Sequence, residues 1–202
     1  MLKAIIFDMY GVILKDPDGG LMPYINGFFP SLGIRDIYEP WHQMGKFEIT
    51  TAEFWRRVGF IDDPAKSELD YLNTIEMEEG FAEAAERLKS SYRLALLSND
   101  VSQWSRFVRE KYALDQHFDA VLISADVGLN KPDVRIYKMM LERLNLKGEE
   151  CLFVDDRPKN LLGAREAGML AVMFERGLGQ FDGKHVSSFA ELADWVELGM
   201  PL

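Results

Sequence analysis

Residues 3–12 of the chain read KAIIFDMYGV, and this segment gives the first indication of the fold. Residues 4–7 form a continuous apolar run of β-forming side chains that stops at a carboxylate, Asp8. A short apolar run without polar alternation is typical of a strand buried on both faces of a parallel sheet. Ligands of such sheets bind just beyond the carboxyl ends of the strands. The segment therefore predicts a buried strand that places Asp8 at the carboxyl edge of the sheet, where a ligand would bind.

Apolar runs of the same kind recur along the chain, with helical patterns between them. The further runs lie at residues 94–97, 120–123, 151–154 and 170–174. The helical patterns lie at about residues 80–90, 101–112, 133–144 and 160–167. Alternation of strand and helix favours parallel strands joined by crossover helices. We therefore expect an α/β fold with a Rossmann-like parallel sheet flanked by helices.

Residues 15–79 interrupt this alternation. They contain no buried-strand run, and their helical patterns lie at residues 21–32, 37–44, 51–58 and 64–74. Thr50 or Thr51 is a suitable N-cap for the third pattern, and Asp18-Gly19-Gly20 marks a turn before the first. We predict an α/β core of residues 1–14 and 80–202, and a small all-α cap of residues 15–79 inserted after the first strand.

The composition narrows the possible partners. The chain has 202 residues and a formal charge of -10, which repels nucleic acid and anionic membrane, so neither is an expected partner. The one cysteine, Cys151, lies in an apolar run, which indicates a buried thiol. No apolar stretch is long enough to span a membrane, and the first residues do not resemble a signal peptide. We expect a cytoplasmic protein with a small-molecule substrate; the oligomeric state is not predicted.

Polar side chains stand at the ends of the predicted strands. Asp8 follows the first run, Ser98-Asn99-Asp100 the second and Asp155-Asp156 the fourth, while Lys131 lies in the loop after the third. Each is an ordinary turn residue by itself, but their recurrence at one sheet edge favours a site. Mg²⁺ prefers carboxylate oxygens, and a carboxylate can also attack a phosphoryl group. Serine and lysine side chains can hold phosphoryl oxygens.

With these residues in this order, the chain resembles the haloacid dehalogenase superfamily over essentially its whole length. The insertion at residues 15–79 is similar to the helical cap of that family. Four segments are similar to its four ordered motifs: residues 6–12 (IFDMYGV), Ser98-Asn99, Lys131-Pro132, and residues 153–156 (FVDD) followed by Asn160, Ala164 and Ala167-Gly168-Met169.

The resemblance implies a role for each motif residue. Asp8 is the expected nucleophile and a magnesium ligand, and Tyr10 is expected to lend its backbone carbonyl to the metal. Asp156 is the other expected carboxylate ligand, with Asp155 acting beside it. Ser98, Asn99 and Lys131 complete the expected catalytic set, in which Ser98 and Lys131 hold the phosphoryl group. The expected cofactor is Mg²⁺, without an organic cofactor.

Tyr10 departs from the pattern of the phosphatases in this family, most of which carry a second Asp there as general acid and base. Tyr at that position is typical of 2-haloacid dehalogenases, which need no magnesium. A phenol with a reference pKa of about 10 is a poor proton shuttle at neutral pH. Asp155 and Asp156 favour the opposite conclusion, because dehalogenases usually carry Ser and Asn in that motif. Neighbouring carboxylates without a cation would also repel Asp8.

We therefore predict a magnesium-dependent phosphatase for a small soluble phosphomonoester such as a sugar phosphate. The alternative is a 2-haloacid dehalogenase-type hydrolase, for which Arg35 is the early cationic candidate to bind carboxylate or halide. A third possibility is a degenerate binding or regulatory member, supported only by Tyr10. We expect the cap aromatics to pack its own core, with Arg56, Arg57 and His42 on the surface.

Overall fold

The computed structural model describes residues 1–15 and 20–199. The sheet strands of this part of the chain are β1 (Ala4–Phe7), β2 (Arg93–Ser98), β3 (Ala120–Ile123), β4 (Cys151–Asp155), β5 (Leu170–Phe174) and β6 (Lys184–Val186). They form one parallel sheet in the order β3-β2-β1-β4-β5-β6. All five predicted runs are strands, and the predicted fold class is confirmed. The turn predicted at Asp18-Gly19-Gly20 lies largely outside the described residues.

The central parts of β1 to β5 are apolar because the sheet is covered on both faces. In β1, Ile5 and Phe7 pack into one apolar layer, whereas Ala4 and Ile6 pack into the other. Burial on both faces removes the polar alternation that a half-exposed strand would show. Cys151 in β4 belongs to the second layer, and burial raises the pKa of its thiol to about 11, as expected of an unreactive cysteine.

Helices occupy both faces of the sheet and most of the insertion. In the insertion they are α1 (Leu21–Phe28), α2 (Ile34–Gly45), α3 (Thr51–Arg57) and α4 (Pro64–Thr74). Elsewhere they are α5 (Phe81–Leu88), α6 (Ser102–Lys111), α7 (Ser124–Val127), α8 (Val134–Leu144), α9 (Pro158–Glu166) and α10 (Phe189–Glu197). Residues of α5, α6 and α10 pack into the first apolar layer, and residues of α8 and α9 pack into the second. Thr50 caps α3 by accepting a hydrogen bond from the Glu53 N–H, as predicted.

The sequence prediction lacks β6, α10 and the four-residue helix α7, which lies in the segment predicted as a loop. β6 has three residues, of which Val186 alone is buried, so it contains no apolar run that sequence reading could detect. α10 does carry a start signal that was overlooked, because Ser188 accepts a hydrogen bond from the Glu191 N–H in a Ser-x-x-Glu pattern. α1 ends at Phe28, short of the predicted Leu32, because Pro30 restricts the backbone before it.

The insertion is helical between residues 21 and 74, apart from short connections. Its two ends meet at an isolated antiparallel bridge between Leu14 and Met77. Phe54 and Trp55 are fully buried, but both contact Trp104 of α6, so they do not form a core of the insertion alone, and Phe47 is 62% exposed. Arg56 and Arg57 are exposed as expected. The division of the chain into a core and a cap at these bounds stays a prediction. None of the described helices is long and apolar enough to cross a lipid bilayer.

Candidate active site

Three buried carboxylates meet at the carboxyl edge of the sheet, where β1 and β4 are neighbours. Phe7 of β1 is in register with Val154 of β4, and the Asp8 N–H donates to the Val154 carbonyl at 2.9 Å. The register brings Asp8 beside Asp155 and Asp156, and one carboxylate oxygen of each of the three residues lies within 4.8 Å of the other two. The strand order changes direction between β1 and β4: β2 and β3 follow on one side of β1, and β4 to β6 follow on the other. Ligands of open α/β sheets bind at such a switch point.

Lys131 is the cation nearest to this cluster. Its Nζ lies 2.7 Å from Asp8 Oδ1 and 2.8 Å from Asp155 Oδ2, and the side chain is almost completely buried. Asn99 holds the lysine in place through its backbone: the Lys131 N–H donates to Asn99 Oδ1 at 2.7 Å, and Asn99 Nδ2 donates to the Lys131 carbonyl at 2.9 Å. The structure therefore makes Asn99 a positioning residue for Lys131.

Asp155 and Asp156 differ in their partners. Both oxygens of Asp155 accept hydrogen bonds, Oδ1 from the Arg157 N–H at 2.8 Å and Oδ2 from Lys131, while Asn160 Nδ2 contacts both. Asp156 Oδ1 is buried and has no hydrogen-bond partner among the described residues. A buried carboxylate oxygen without a partner is costly unless a ligand meets it. Asp156 is thus better suited to bind a metal directly, and Asp155 to hold its neighbours.

The electrostatics of the cluster fit a divalent cation. Burial, together with the nearby Asp155 carboxylate, raises the pKa of Asp8 well above its ordinary value, and the Lys131 ammonium only partly opposes this. Burial and Asp155 likewise raise the pKa of Asp156 to about 6. Three carboxylates thus face two cations, the buried Lys131 ammonium and the guanidinium of Arg157, whose Nε lies 3.9 Å from Asp156 Oδ1, so negative charge remains in excess. Hard oxygen donors with an excess of negative charge are the donor set that Mg²⁺ prefers, so the residues fit this metal.

Ser98 ends β2 beside this cluster. Its side chain is 1% exposed, and its Oγ has no hydrogen-bond partner among the described residues. A buried hydroxyl in this position can donate to the oxygen of a bound anion, as the sequence predicts for a phosphoryl group. Among the described residues, the motif side chains of Ser98, Asp156 and Asn160 each keep a buried oxygen without a hydrogen-bond partner, namely Ser98 Oγ, Asp156 Oδ1 and Asn160 Oδ1.

Tyr10 lines the same cavity as Asp8 and Asp100. Asp100 is 4% exposed, and its Oδ1 accepts a hydrogen bond from the Val101 N–H at 2.7 Å. Burial raises the pKa of the Asp100 carboxyl to about 8, although the Val101 N–H and the Tyr10 hydroxyl partly oppose the rise. Asp100 had no predicted role. Its position directly after Ser98-Asn99 at a strand end is the signal that could have assigned it to the site.

Arg176 supports the loop after β1 and was not found from the sequence. Its Nε donates to the Gly11 carbonyl at 3.0 Å, and its Nη2 donates to Glu78 Oε2 at 2.5 Å. The arginine therefore connects the loop that carries Tyr10 to the segment between α4 and α5, where the insertion ends. Arg176 lies outside all four motif segments, so no local pattern identifies it.

Gly11 needs both its positive φ and its missing side chain. Its φ is 78°, and a Cβ at this position would lie 2.2 Å from Asp156 Oδ2. Gly128 is a matched control, because its φ is 66° but a Cβ there would meet no heavy atom within 4 Å. Alanine at position 128 would introduce backbone strain alone, whereas alanine at position 11 would add a collision with the Asp156 carboxylate.

We expect Gly128→Ala to lower the free energy of unfolding by about 1–2 kcal/mol, the cost of left-handed backbone for alanine. Gly11→Ala should cost about 2–5 kcal/mol, since overpacking adds to the same strain. Only Gly11→Ala should also weaken Mg²⁺ binding. Denaturant unfolding and calorimetric Mg²⁺ titration measure the two effects. Equal losses in both variants would show that Gly11 does not sit against Asp156.

A cavity of about 410 Å³ opens onto Asp8 between the sheet edge and the helices of the insertion. Its lining includes Asn99 and Lys131 from the core and Trp41 and His42 from α2. His42 is exposed, as predicted. Arg35, the halide-binding candidate of the dehalogenase alternative, is exposed elsewhere on α2.

Comparison with known proteins supports a hydrolase. A family model for haloacid dehalogenase-like hydrolases matches residues 2–168. A phosphoserine phosphatase of Thermus thermophilus is 42% identical over 101 residues, which cover 50% of this chain and 41% of that protein. A D-ribitol-5-phosphate phosphatase of Bacteroides thetaiotaomicron is 26% identical over 200 residues, covering 88% of this chain and 94% of the relative. The first of these matches therefore spans less than half of the relative.

Solved structures agree on the fold. A haloacid dehalogenase family enzyme of Bacteroides thetaiotaomicron, in complex with magnesium and inorganic phosphate, aligns with a TM-score of 0.71 at 20% identity, over 88% of this chain and 96% of that one. Structures of 2-haloacid dehalogenases share the same fold. The fold by itself therefore does not separate the two chemistries.

Proposed function

Because the chain belongs to the haloacid dehalogenase-like hydrolases, we propose that it is a magnesium-dependent phosphatase that hydrolyses small phosphomonoesters with Asp8 as nucleophile. The observation that carries this proposal is the buried cluster of Asp8, Asp155 and Asp156, in which one carboxylate oxygen of each residue lies within 4.8 Å of the others. Lys131 contacts the first two, and Arg157 Nε lies 3.9 Å from the third. A divalent cation would balance the excess negative charge of such a cluster and would allow an anionic phosphate ester to bind beside it. The phosphatase relatives support the same reaction class.

The metal would be held by the Asp8 carboxylate, the Tyr10 backbone carbonyl and the Asp156 carboxylate. Asp156 Oδ1 is buried without a hydrogen-bond partner among the described residues, which favours it as a ligand over the fully bonded Asp155. When bound, Mg²⁺ would reduce the repulsion between the anionic nucleophile and the anionic substrate. The relative of known structure that contains magnesium and phosphate is consistent with this assignment.

The chain's own residues account for the covalent steps. An oxygen of Asp8 attacks phosphorus, the bond from phosphorus to the ester oxygen breaks, and the leaving alkoxide takes a proton from solvent water to depart as the alcohol. Water then attacks the acyl phosphate, which releases inorganic phosphate and restores the Asp8 carboxylate. Ser98 would donate a hydrogen bond to a phosphoryl oxygen, and Lys131 would place its positive charge against both Asp8 and the transferring group. Asp155 and Asn99 keep Lys131 in place.

Residues 15–79 would act as the cap over this site, and residues 1–14 and 80–202 as the core. The cavity above Asp8 is lined from both parts, by Trp41 of α2 and by Lys131 among others. Substrate choice would therefore depend on the insertion, and its closure would exclude water from the reacting phosphate. Sugar phosphates fit the general size of the cavity, and a cytoplasmic location remains a prediction.

The second candidate function is 2-haloacid hydrolysis, and Tyr10 is the observation that favours it. The charge of the site opposes it, because a 2-haloacid would bring a fourth carboxylate next to Asp8, Asp155 and Asp156. A degenerate binding protein is the third candidate. It has less support, because Ser98 and Lys131 are both in place around Asp8.

A substrate panel tests the proposal directly. Phosphate esters, including sugar phosphates and aryl phosphates, and 2-haloacids should be incubated with the full chain, with Mg²⁺ and with a chelator. We expect release of inorganic phosphate only with Mg²⁺, and no release of halide. Halide release without Mg²⁺, in the absence of any phosphate release, would establish the dehalogenase instead.

The metal assignment has a separate test. Asp156→Ala should weaken Mg²⁺ binding by at least about 100-fold, since changes to groups that only support metal ligands already cost about 10–100-fold. Asp182→Ala removes an exposed carboxylate and serves as the control. Calorimetric Mg²⁺ titration of the three proteins measures the change. Unchanged affinity in Asp156→Ala would remove this residue from the metal site.

A further inference from the structure

Three aromatic side chains of α2 form a group at the edge of the apolar interior: Tyr38 and His42 are exposed, and Trp41 is half-buried against the first apolar layer. Tyr38, Trp41 and His42 have ring centroids 5.1–6.3 Å apart, and Tyr38 is 43% exposed. This distinguishes them from Phe54 and Trp55, which are completely buried in the insertion. All three members of the group line the cavity above Asp8.

A second aromatic group lines the same cavity. Tyr71 of α4 and Trp104 of α6 have ring centroids 5.5 Å apart, and both are almost completely buried. Trp104 is fixed in orientation, because its Nε1 donates to Glu68 Oε1 at 3.0 Å. The cavity therefore has one partly exposed aromatic surface on α2 and one rigid aromatic surface at the junction of the insertion and the core.

We propose that this cavity selects phosphomonoesters whose alcohol carries a planar aromatic ring. The inference rests on the proposed function, because the phosphate is taken to sit at Asp8 and Lys131. Aromatic rings prefer offset-stacked or edge-to-face contact with other rings at centroid distances of about 4.5–7 Å. A cavity of about 410 Å³ accommodates one ring and its phosphate, within the usual size of ligand sites.

Tyr10 favours the same substrates for an unrelated reason. A site without the second Asp of the phosphatase motif protonates an alkoxide poorly, so phenolic leaving groups, which need less protonation, react faster. This effect acts on kcat, whereas ring recognition by Tyr38, Trp41, Tyr71 and Trp104 acts on substrate binding. An experiment must therefore separate the two.

Benzyl phosphate and cyclohexylmethyl phosphate make this separation. Both release a primary alcohol of similar acidity, and both carry a six-membered ring on one methylene, but only the first ring is aromatic. We expect a KM about threefold to tenfold lower for benzyl phosphate, the size typical of one well-placed aromatic pair, with similar kcat values. Calorimetry of both esters with the Asp8→Asn variant and Mg²⁺ should show the same preference in binding.

Substitution of the aromatic group on α2 should remove the preference. Trp41→Leu should raise the KM for benzyl phosphate and leave that for cyclohexylmethyl phosphate nearly unchanged. Phe47→Leu, which alters an aromatic side chain 62% exposed just after α2, should change neither.

The outcomes separate this inference from the proposed function. Hydrolysis of both esters with equal KM values, or a preference that survives Trp41→Leu, would overturn aromatic selection while leaving the phosphatase intact. Failure to hydrolyse or bind any phosphate ester in the presence of Mg²⁺ would overturn the proposed function itself, and aromatic selection with it.

Discussion

Asp8→Asn is expected to abolish turnover while leaving the protein folded. The amide is neutral and a far weaker nucleophile, and loss of the nucleophile in a covalent hydrolase costs on the order of 10⁵ in rate or more. The fold should tolerate the change, because burial and Asp155 already raise the pKa of Asp8 and so favour its neutral form. Removal of one negative charge relieves repulsion within the cluster, although it also weakens the contact with Lys131.

Steady-state rates and thermal unfolding measure these two expectations. Asp62→Asn makes the same chemical change at an exposed position and should alter neither quantity. Fluoroberyllate, which mimics an aspartyl phosphate, should bind the unchanged protein with Mg²⁺ and should fail to bind Asp8→Asn. Undiminished turnover by Asp8→Asn would rule out covalent catalysis at this residue.

Tyr10→Asp is expected to increase the hydrolysis of alkyl phosphates. A covalent phosphatase must protonate the leaving alkoxide and then deprotonate the attacking water, and a carboxyl group two residues after the nucleophile can do both. The missing acid should cost on the order of 10²–10⁴ in rate, the usual range for general acid–base catalysis. The gain should therefore be large for alkyl phosphates and small for aryl phosphates, whose phenolic leaving groups need less protonation.

Tyr10→Asn is the matched control for this change. It leaves the same space as Tyr10→Asp but provides no acid, so a gain seen only with the carboxyl group is due to proton transfer. Tyr10 lies near Asp100, whose pKa of about 8 keeps it largely neutral at pH 7, so the new carboxyl group meets limited repulsion there.

Measurement of 2-haloacid turnover completes the test. In a dehalogenase, Tyr10→Asp would lower the activity, because it adds negative charge beside an anionic substrate. Equal phosphatase rates in Tyr10→Asp and Tyr10→Asn would show that a carboxyl group at position 10 does not act as a general acid in this enzyme. The rates of both variants with alkyl and aryl phosphates decide the matter.

The sheet was predictable because strands buried on both faces contain continuous apolar segments that can be recognised in the sequence. Each of β1 to β5 contains such an apolar run, and their order along the chain with helices between them implies parallel pairing. β6 escaped prediction because a short edge strand with one buried residue leaves no such trace. The missed α10 was a failure to read a pattern that is present in the sequence.

The sequence by itself determined the fold class and which residue types stand at the ends of the strands, because both follow from local runs and turns. It could not determine which of these side chains touch. Only the tertiary structure places Lys131 between Asp8 and Asp155, turns Asn99 toward the Lys131 backbone, and saturates Asp155 while leaving Asp156 Oδ1 unused. Contacts of this kind join residues that are distant in sequence, so they depend on strand order and register.

The same reason applies to the cavity. Trp41 is one of the aromatic residues of the insertion for which the sequence predicts core packing, and the sequence alone assigns Trp104 no role. The path of the insertion across the sheet edge instead leaves Trp41 partly exposed and Trp104 buried, with both facing the space above Asp8. The position of a helix relative to the sheet edge depends on packing between segments that are distant in sequence. The local sequence pattern therefore cannot predict it.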